Sequence, residues 1–146
     1  MIAVDTNVLV HAHRSDSDWH KAAERCLRSL AEGRATWAIP WPCIHEFIAI
    51  VTHPRIYAPP STLEQAIDQI DAWMESPSLA LIGESEDHWS LLTAQLTEGR
   101  VTGPMVHDAR VAAVCMGNGV NELLTADRDY SRFPRLVSRN PLIVAG

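Results

Sequence analysis

The stretch Ile2-Ala3-Val4-Asp5-Thr6-Asn7-Val8-Leu9 decides the fold, because an apolar run leads into a single acid and apolar residues resume soon after it. A short run that is apolar throughout is typical of a strand buried on both faces of a parallel sheet. Val8 and Leu9 favour a helix directly after that strand. The stretch therefore predicts a strand–helix unit with Asp5 at the carboxyl end of the strand.

Similar short apolar runs recur along the chain and alternate with segments of helical periodicity. Further strands are predicted at residues 35–39, 79–82 and 122–125, and a fifth near 136–137. Helical patterns lie between them, at residues 17–33, 42–53, 61–74, 85–96 and 103–117. This alternation predicts an α/β fold in which a central parallel sheet is flanked by helices on both faces, within one domain of residues 1–146.

Local patterns also predict details of the helices. Asp16 or Ser17 is expected to cap the second helix. The motif Ser61-Thr62-Leu63-Glu64 has the spacing of a capping box and is expected to begin the fourth. The residues expected to face inward from that helix are Leu63, Ile67, Ile70 and Met74. Most of the five Trp side chains are expected to pack in the core.

The composition is that of an ordinary globular protein. Of the 146 residues, 47% are hydrophobic and 21% are charged. No apolar run is long enough to span a membrane, and the first residues lack the basic segment of a signal peptide. Cys26, Cys43 and Cys115 are odd in number and widely spaced, which predicts free thiols in a reducing compartment. We therefore expect a cytoplasmic protein.

Four acids, Asp5, Glu46, Asp108 and Asp127, have apolar surroundings in which an unpaired charge is costly. Asp5 and Asp127 each follow a predicted strand, at the edge where ligands bind in open α/β sheets. They would meet if the first and fourth strands are neighbours. Glu46 and Asp108 lie in predicted helices, and their neighbours three and four residues away are apolar. The histidines that precede these two acids would lie on another helix face.

Four carboxylates at one place repel one another strongly. Two charges about 5–6 Å apart repel by roughly 3 kcal/mol at an effective dielectric constant of about 20. Six such pairs give about 15–18 kcal/mol, which exceeds the roughly 5–15 kcal/mol net stability of a typical domain. Raised pKa values or bound cations are therefore required. Ligands that are all oxygen favour Mg²⁺ or Mn²⁺, so the acids predict a metal-dependent phosphoryl-transfer enzyme.

Each acid also has a purely structural interpretation. Glu46 and Asp108 could form buried ion pairs or cap neighbouring helices. Asp5 could cap the helix that follows it, although Thr6 and Asn7 could cap that helix equally well, which would free Asp5 for chemistry.

The formal net charge of −6 argues against a protein that coats nucleic acid through general charge attraction, although two divalent ions (+4) would leave only −2. Arg outnumbers Lys eleven to one, and Arg suits bidentate contact with phosphate. Arg128, Arg132, Arg135 and Arg139 crowd the C-terminal end, where they could contact phosphate or form a solvated face. Asp129 could reinforce the acidic site or pair with Arg132.

The acids lie in four segments that follow one another in a recognisable order. These are Ile2-Ala3-Val4-Asp5-Thr6-Asn7-Val8-Leu9, His45-Glu46-Phe47-Ile48, His107-Asp108-Ala109-Arg110-Val111-Ala112-Ala113 and Leu124-Thr125-Ala126-Asp127-Arg128-Asp129-Tyr130. Together they resemble the PIN-domain family, and specifically its VapC-type toxin ribonucleases. The resemblance covers essentially the whole chain, with Tyr130 where an aromatic residue, often Phe, is usual.

This resemblance implies a sheet with strand order 3-2-1-4-5 and Mg²⁺- or Mn²⁺-dependent endonucleolytic cleavage of RNA, such as tRNA or a ribosomal loop. The residues that match the family's catalytic and metal-binding acids are Asp5, Glu46, Asp108 and Asp127. The supporting residues are Thr6, Asn7, Thr125 and Asp129. The candidates to hold the RNA backbone are Arg110, Arg128 and Arg132, although Arg110 could instead pair with a site acid. Family members usually form homodimers and are inhibited by a cognate antitoxin whose tail fills the acidic cleft.

The hypothesis for the mechanism is hydrolysis by a metal-activated water. Asp5, Glu46 and Asp108 would hold one ion, and Asp127 would complete its site or support a second. Water attack on phosphorus would leave a 5′-phosphate and a 3′-hydroxyl. Two alternatives stay open on the same fold: a nonenzymatic interaction protein and a metal-dependent DNA nuclease.

Two other classes of α/β protein fit the sequence poorly. A phosphoaspartyl enzyme or receiver domain needs a Lys late in the chain, and the only Lys is Lys21. A dinucleotide-binding module needs a glycine-rich turn after a strand, but Gly117-Asn118-Gly119 precedes one and a third glycine is missing.

Overall fold

Strand β1 (Ile2–Val4) lies at the centre of a parallel sheet in the computed structural model, which describes residues 1–143. The other strands are β2 (Trp37–Pro40), β3 (Leu79–Ile82), β4 (Glu122–Leu124) and β5 (Val137–Arg139). Their order is β3-β2-β1-β4-β5, and each neighbouring pair is parallel. The predicted strand order is therefore confirmed. The predicted domain boundaries include residues 144–146, which lie outside the described residues, and they stay a prediction.

The described residues contain six α-helices between these strands. They are α1 (Thr6–His13), α2 (His20–Glu32), α3 (Trp41–Val51), α4 (Leu63–Met74), α5 (His88–Glu98) and α6 (Val106–Gly117). Helix α1 packs against α2 and α3, and α5 packs against α6. A 3₁₀ turn at Gly103–Met105 leads into α6, and another at Arg128–Arg132 follows β4. This alternation of strands and helices confirms the predicted α/β class.

Helices follow β1 and β2 with almost no connecting loop. Helix α1 begins one residue after β1 ends, and its Val8 and Leu9 are fully buried together with Val4. Helix α3 begins directly after β2, with Pro42 in its first turn, where the missing N–H of proline breaks no helical hydrogen bond. Such tight junctions fix the direction of the side chains that follow each strand at the carboxyl edge of the sheet.

The start of α2 differs from the prediction. The helix begins at His20, and neither Asp16 nor Ser17 caps it. Ser17 Oγ accepts a hydrogen bond from the backbone N–H of Trp19 at 3.1 Å, and Asp16 forms an ion pair with Arg14 at 2.6 Å. Both side chains are committed to the turn before the helix, so the predicted cap was wrong.

Helix α4 is capped one residue later than its motif predicted. The capping box joins Thr62 to Gln65: Gln65 N–H donates to Thr62 Oγ1 at 3.1 Å, and Thr62 N–H donates to Gln65 Oε1 at 2.9 Å. Ser61 is buried instead, and its Oγ lies 2.9 Å from His13 Nε2.

The inward face of α4 also differs from the prediction, and among the predicted positions only Ile70 is buried. The other three predicted residues, Leu63, Ile67 and Met74, are exposed. Ala66 is fully buried beside Ile70, because a small side chain lets the helix approach its neighbours closely. Trp73, on the same helix, packs edge-on against Phe47 of α3 with the ring centroids 5.0 Å apart.

Three of the five Trp side chains lie at the surface, so the prediction that most of them pack in the core was wrong. Trp37 is buried in β2, and Trp73 is partly buried. The exposed fractions of Trp19, Trp41 and Trp89 are 47%, 41% and 73%.

The three cysteines are free, as predicted; Cys43 and Cys115 are buried and Cys26 is partly buried. Within residues 1–143, no helix has both the length and the apolar character needed to cross a membrane.

Candidate active site

The pairing of β1 with β4 brings Asp5 and Thr125 together at the carboxyl edge of the sheet. Val4 is in register with Leu124, and the Asp5 backbone N–H donates to Leu124 O at 3.0 Å. Asp5 and Thr125 are the next residues on each strand, so their side chains meet although 120 positions separate them. The first and fourth strands are therefore neighbours, which is the condition under which Asp5 and Asp127 were expected to meet.

The Asp5 carboxylate is buried and held by donors on both oxygens. Oδ1 accepts the Thr6 backbone N–H at 2.9 Å, while Oδ2 accepts the Thr125 hydroxyl at 2.8 Å and the Asn7 amide at 3.1 Å. Burial nevertheless dominates and raises the pKa of Asp5, although the hydrogen bonds from Thr125 and Thr6 lower it. Asp5 is also the residue that caps α1, so the expectation that Thr6 or Asn7 would free it from capping was wrong.

Asn7 and Thr125 tie α1 to the segment after β4. Asn7 Oδ1 accepts the Ala126 N–H at 2.9 Å, and Asn7 Nδ2 donates to Thr125 Oγ1 at 3.0 Å. Thr125 Oγ1 in turn accepts the Asp127 N–H at 3.0 Å. Thr6 differs from these two: its backbone N–H donates to Asp5, while its buried hydroxyl has no hydrogen-bond partner among residues 1–143. The network therefore positions Asp127 relative to Asp5.

Three acids converge beside this network. One carboxylate oxygen from each of Asp108, Asp127 and Asp129 lies within 4.8 Å of the other two. We call these three residues the acidic cluster. Asp108 is in the first turn of α6, and Asp127 Oδ1 accepts the Asp129 N–H at 2.8 Å. Asp5 and Glu46 do not join the group at that distance.

Asp129 lies with Asp108 and Asp127 in the acidic cluster. It was expected either to reinforce the site or to pair with Arg132. No ion pair joins these two residues within the described part of the chain, and Arg132 Nη1 instead donates to Gly99 O at 3.3 Å.

Burial and the charges of neighbouring acids raise the pKa values of Asp108 and Glu46. Burial is the largest cause for Asp108 and, with the negative charge of Asp127 next, raises its pKa to about 7. Smaller contributions come from Asp5, Asp129 and Glu46. The pKa of Glu46 is also raised, by burial and then by Asp5, while His107 lowers it. Five carboxyl groups therefore lie close enough to influence one another, and a bound cation would reduce the repulsion between their charged forms.

Glu46 and Asp108 face each other across a groove of about 550 Å³ between α3 and α6. His45 and His107 line the same groove, so the prediction that these imidazoles lie on another face was wrong. Sequence reasoning did not assign either histidine to the site. The signal that could have found them is the pairing of each histidine with a site acid in the chain, His45-Glu46 and His107-Asp108.

The predicted RNA-binding arginines occupy different places around the acids. Arg110 lines the α3–α6 groove and pairs with Glu84 at 3.1 Å rather than with a site acid. Arg128 shares a cavity of about 440 Å³ with Asp127. Arg132 lies in another cavity of about the same size, together with Asp108 and Asp129.

Apolar and weakly polar side chains form the floor beneath Asp5. Cys43 Sγ lies 3.5 Å from Asp5 Oδ1, and burial raises the pKa of this thiol well above its ordinary value. Tyr130 is fully buried, and burial together with the charge of Asp5 raises its pKa too. This floor excludes water from beneath the carboxylate, which explains why burial outweighs its hydrogen bonds.

Comparison with known proteins places this chain in a family. The model of the PIN domain matches residues 2–136, nearly the whole chain. The chain belongs to the PIN domain family. Ribonuclease VapC43 of Mycobacterium tuberculosis is 32% identical over 142 residues, which cover 97% of this chain and 96% of that protein. The resemblance to VapC-type PIN-domain proteins is therefore confirmed.

Solved structures share the PIN-domain fold. VapBC2 from Rickettsia felis, determined with a fragment of its promoter DNA, superposes with a TM-score of 0.66 at 23% identity and covers 96% of this chain and 98% of that chain. VapC20 of Mycobacterium tuberculosis, described as a toxin that cleaves the sarcin–ricin loop, has a TM-score of 0.65 at 16% identity, with 90% and 93% covered. At these identities the likeness shows the fold alone.

Proposed function

We propose that this PIN-domain protein is the toxin of a toxin–antitoxin pair and acts as a divalent-metal-dependent endoribonuclease. The observation that carries the proposal is the acidic cluster, in which three carboxylate oxygens lie within 4.8 Å of one another at the carboxyl edge of the sheet. Its relatives include Ribonuclease VapC43 and Ribonuclease VapC48 of Mycobacterium tuberculosis, which supports the ribonuclease activity.

The residues at the site fit a divalent cation. The acidic cluster offers only oxygen ligands, which Mg²⁺ and Mn²⁺ prefer. Burial and then the negative charge of the neighbouring acids raise the pKa of Asp108, and a bound cation would favour its ionised form. We assign Asp108, Asp127 and Asp129 as the group that would hold the ion, with Asp5 and Glu46 as the further acids that contribute charge or ligands.

A bound divalent ion lowers the pKa of water and stabilises the charge that develops on the attacking and leaving oxygens. The chain itself orients the acids. Thr125 and Asn7 hold Asp5, and Thr125 also holds the backbone of Asp127. The Asp129 N–H fixes the direction of the Asp127 carboxylate. Hydrolysis at this site would leave a 5′-phosphate and a 3′-hydroxyl.

The substrate that we propose is structured RNA, tRNA or ribosomal RNA. Glu46 and Asp108 both line the groove of about 550 Å³ between α3 and α6, which we propose receives the RNA backbone. Arg110, Arg128 and Arg132 surround the acids and would contact phosphates. RNA sequences are recognised mainly in loops and other unpaired segments, and the related VapC20 fold belongs to a toxin described as cleaving such a loop.

The partners that we propose are a cognate antitoxin, whose tail would fill the acidic cleft, and a second copy of this chain in a homodimer. Structures of the same fold include toxin–antitoxin complexes from Klebsiella pneumoniae and Rickettsia felis. We also propose that the protein acts in the cytoplasm, where such RNA is found.

The test is cleavage of a tRNA mixture, ribosomal RNA and single-stranded DNA by the purified chain in Mg²⁺ or Mn²⁺. We expect RNA cleavage that EDTA abolishes and that Asp108→Asn reduces at least about 100-fold. Asp71→Asn is the matched control, because it removes one charge from an exposed position on α4. The 5′ ends of the fragments should carry phosphate.

The other outcomes separate the alternatives. Cleavage of DNA but not of RNA would identify a DNA nuclease, and no cleavage of any substrate would favour a nonenzymatic interaction protein. A cyclic phosphate at the 3′ end would reject attack by water.

A further inference from the structure

Arg100 has a backbone conformation that an arginine rarely adopts. It follows α5 with a φ of +50°, in the left-handed region that favours glycine. Val101 N–H donates to Leu96 O at 3.0 Å, and Arg100 N–H donates to Thr97 O at 3.3 Å. This pair of bonds is the Schellman motif, and its left-handed residue is usually glycine. Backbone stability therefore gives no reason for an arginine at this position.

The preceding glycine does not relieve the strain. A Cβ on Gly99 would lie 2.9 Å from Gln95 O and 3.2 Å from Phe133 Cε1, so Gly99 is needed for close packing. The chain thus has a glycine where packing demands one and an arginine in the left-handed position. The reason for an arginine at position 100 must therefore lie in its side chain.

The side chain of Arg100 lines a cavity of about 440 Å³ beside the acidic cluster. Arg132, Asp108 and Asp129 line the same cavity. Both arginines are exposed. Within residues 1–143, no carboxylate oxygen lies within 4.0 Å of either guanidinium, whereas Arg110 has an ion pair with Glu84.

The turn at Gly99 and Arg100 brings the two arginines together. Arg132 Nη1 donates to Gly99 O at 3.3 Å, and Arg100 is the next residue along the chain. Arg132 keeps its remaining N–H donors available, and Arg100 makes no side-chain hydrogen bond within the described residues. Two arginines that line one cavity and have no carboxylate partner within residues 1–143 suit the oxygens of a phosphate.

We propose that Arg100 and Arg132 form a clamp for a phosphate of the RNA backbone. The clamp holds this phosphate beside Asp108 and Asp129, so that the adjacent phosphodiester lies at the acidic cluster. The inference rests on the proposed ribonuclease function and makes Arg100 a positioning residue. The residue in the left-handed turn is therefore one that lines the cavity beside these acids.

The experiment compares wild type with Arg100→Gly, Arg132→Gln and a control, Arg55→Gln. Arg55 is exposed, has no ion pair within residues 1–143 and lies between α3 and α4, away from the cavities that contain the acidic cluster. Binding of a fluorescein-labelled single-stranded RNA is measured by anisotropy in EDTA over a range of salt concentrations. Cleavage of an RNA that the wild type cuts is measured in Mg²⁺ under single-turnover conditions. Thermal unfolding is followed for each protein.

Arg100→Gly should weaken binding about 3- to 10-fold at low salt and reduce the slope of log affinity against log salt by about 0.7, the contribution of one phosphate contact on a single strand. Its Tm should stay the same or rise by up to about 4 °C, because glycine suits the left-handed position. Arg132→Gln should reduce the slope similarly, and Arg55→Gln should change neither quantity. In the cleavage assay, the half-saturating protein concentration should rise for the two clamp variants alone.

A slope and affinity for Arg100→Gly equal to those of Arg55→Gln would overturn the clamp. If Arg100→Gly lowers the Tm, Arg100→Asn replaces it, because asparagine also tolerates the left-handed backbone. An unchanged slope of log affinity against log salt for Arg100→Asn would also overturn the clamp. Loss of RNA binding in the clamp variants without any cleavage by wild type would reject the ribonuclease and keep the phosphate site. RNA cleavage by wild type that Arg100→Gly leaves unchanged would reject the phosphate clamp and keep the ribonuclease.

Discussion

Asp108→Asn should be more stable than wild type without metal. Once Mg²⁺ is added, wild type should become the more stable of the two proteins. The substitution removes one negative charge from the acidic cluster with almost no change of shape. Burial and the neighbouring acids raise the pKa of Asp108 from 3.8 to about 7, so the folded protein resists ionisation of this group. Asparagine removes that resistance.

The size of the effect follows from the pKa. A rise from 3.8 to about 7 corresponds to about 4 kcal/mol at most, and partial exposure of Asp108 to solvent reduces the expected gain to about 1–2 kcal/mol. The folded pKa exceeds the unfolded one, so the folded state binds more protons between these values, and metal-free wild type loses stability as the pH rises from about 4 to 7. The gain from Asp108→Asn is therefore full above pH 7 and disappears towards pH 4.

Urea unfolding of wild type and Asp108→Asn in EDTA, at several pH values, measures this gain. Asp71→Asn makes the same change in net charge at an exposed position and should show no comparable dependence on pH. Added Mg²⁺ should stabilise wild type by mass action and Asp108→Asn much less, which reverses the order of the two proteins. A variant that is less stable than wild type in EDTA at pH 8, or a Mg²⁺ effect equal in both proteins, would refute the electrostatic argument.

The remaining predictions concern the support of the site. Asp5→Asn should reduce RNA cleavage at least about 100-fold, equivalent to about 2.7 kcal/mol of transition-state stabilisation, while the circular dichroism spectrum stays that of a folded protein; a fully active variant would reject the assignment of Asp5. Thr125→Val should lower the free energy of unfolding by about 1–3 kcal/mol, because Asp5 Oδ2 loses one of its two donors and the Asp127 N–H loses its acceptor. The control is Thr97→Val, at an exposed position of α5. Thr125→Ser keeps the hydroxyl and should recover most of the lost stability. Equal stability of the two valine variants would contradict the role of the Thr125 hydroxyl.

The central strands could be predicted from the sequence because β1, β2 and β4 lie in short, mainly apolar runs that the structure largely buries. Val4 and Leu124 lie inside the predicted strands and are almost fully buried in the structure. The strand order itself came from the family resemblance, since an apolar run does not specify its neighbour. Once β1 and β4 are adjacent, the meeting of Asp5 with the segment after β4 follows from their register.

The orientation of several helices could not be predicted in the same way. On α4, apolar residues occupy more of the circumference than the protein covers, so periodicity could not tell Ala66 from Leu63. The positions of His45 and His107 depend on how α3 and α6 are rotated towards each other across a groove. The left-handed conformation of Arg100 had no signal, because the pattern for a helix end at that point is the glycine one residue earlier.

Asp5 and Asp108 are predicted to serve the same ion, but their surroundings divide the work between them. Both oxygens of Asp5 already accept hydrogen bonds, from Thr6 on one side and from Asn7 and Thr125 on the other, so a direct bond to a cation would displace or share one of these donors. Asp108 accepts no hydrogen bond within the described residues, and its oxygen lies with two others in the acidic cluster. We infer that Asp5 acts chiefly as a fixed negative charge, held in place by β4, and that Asp108 supplies the oxygen most available to a cation. For that reason the reversal of stability by Mg²⁺ is expected for Asp108→Asn.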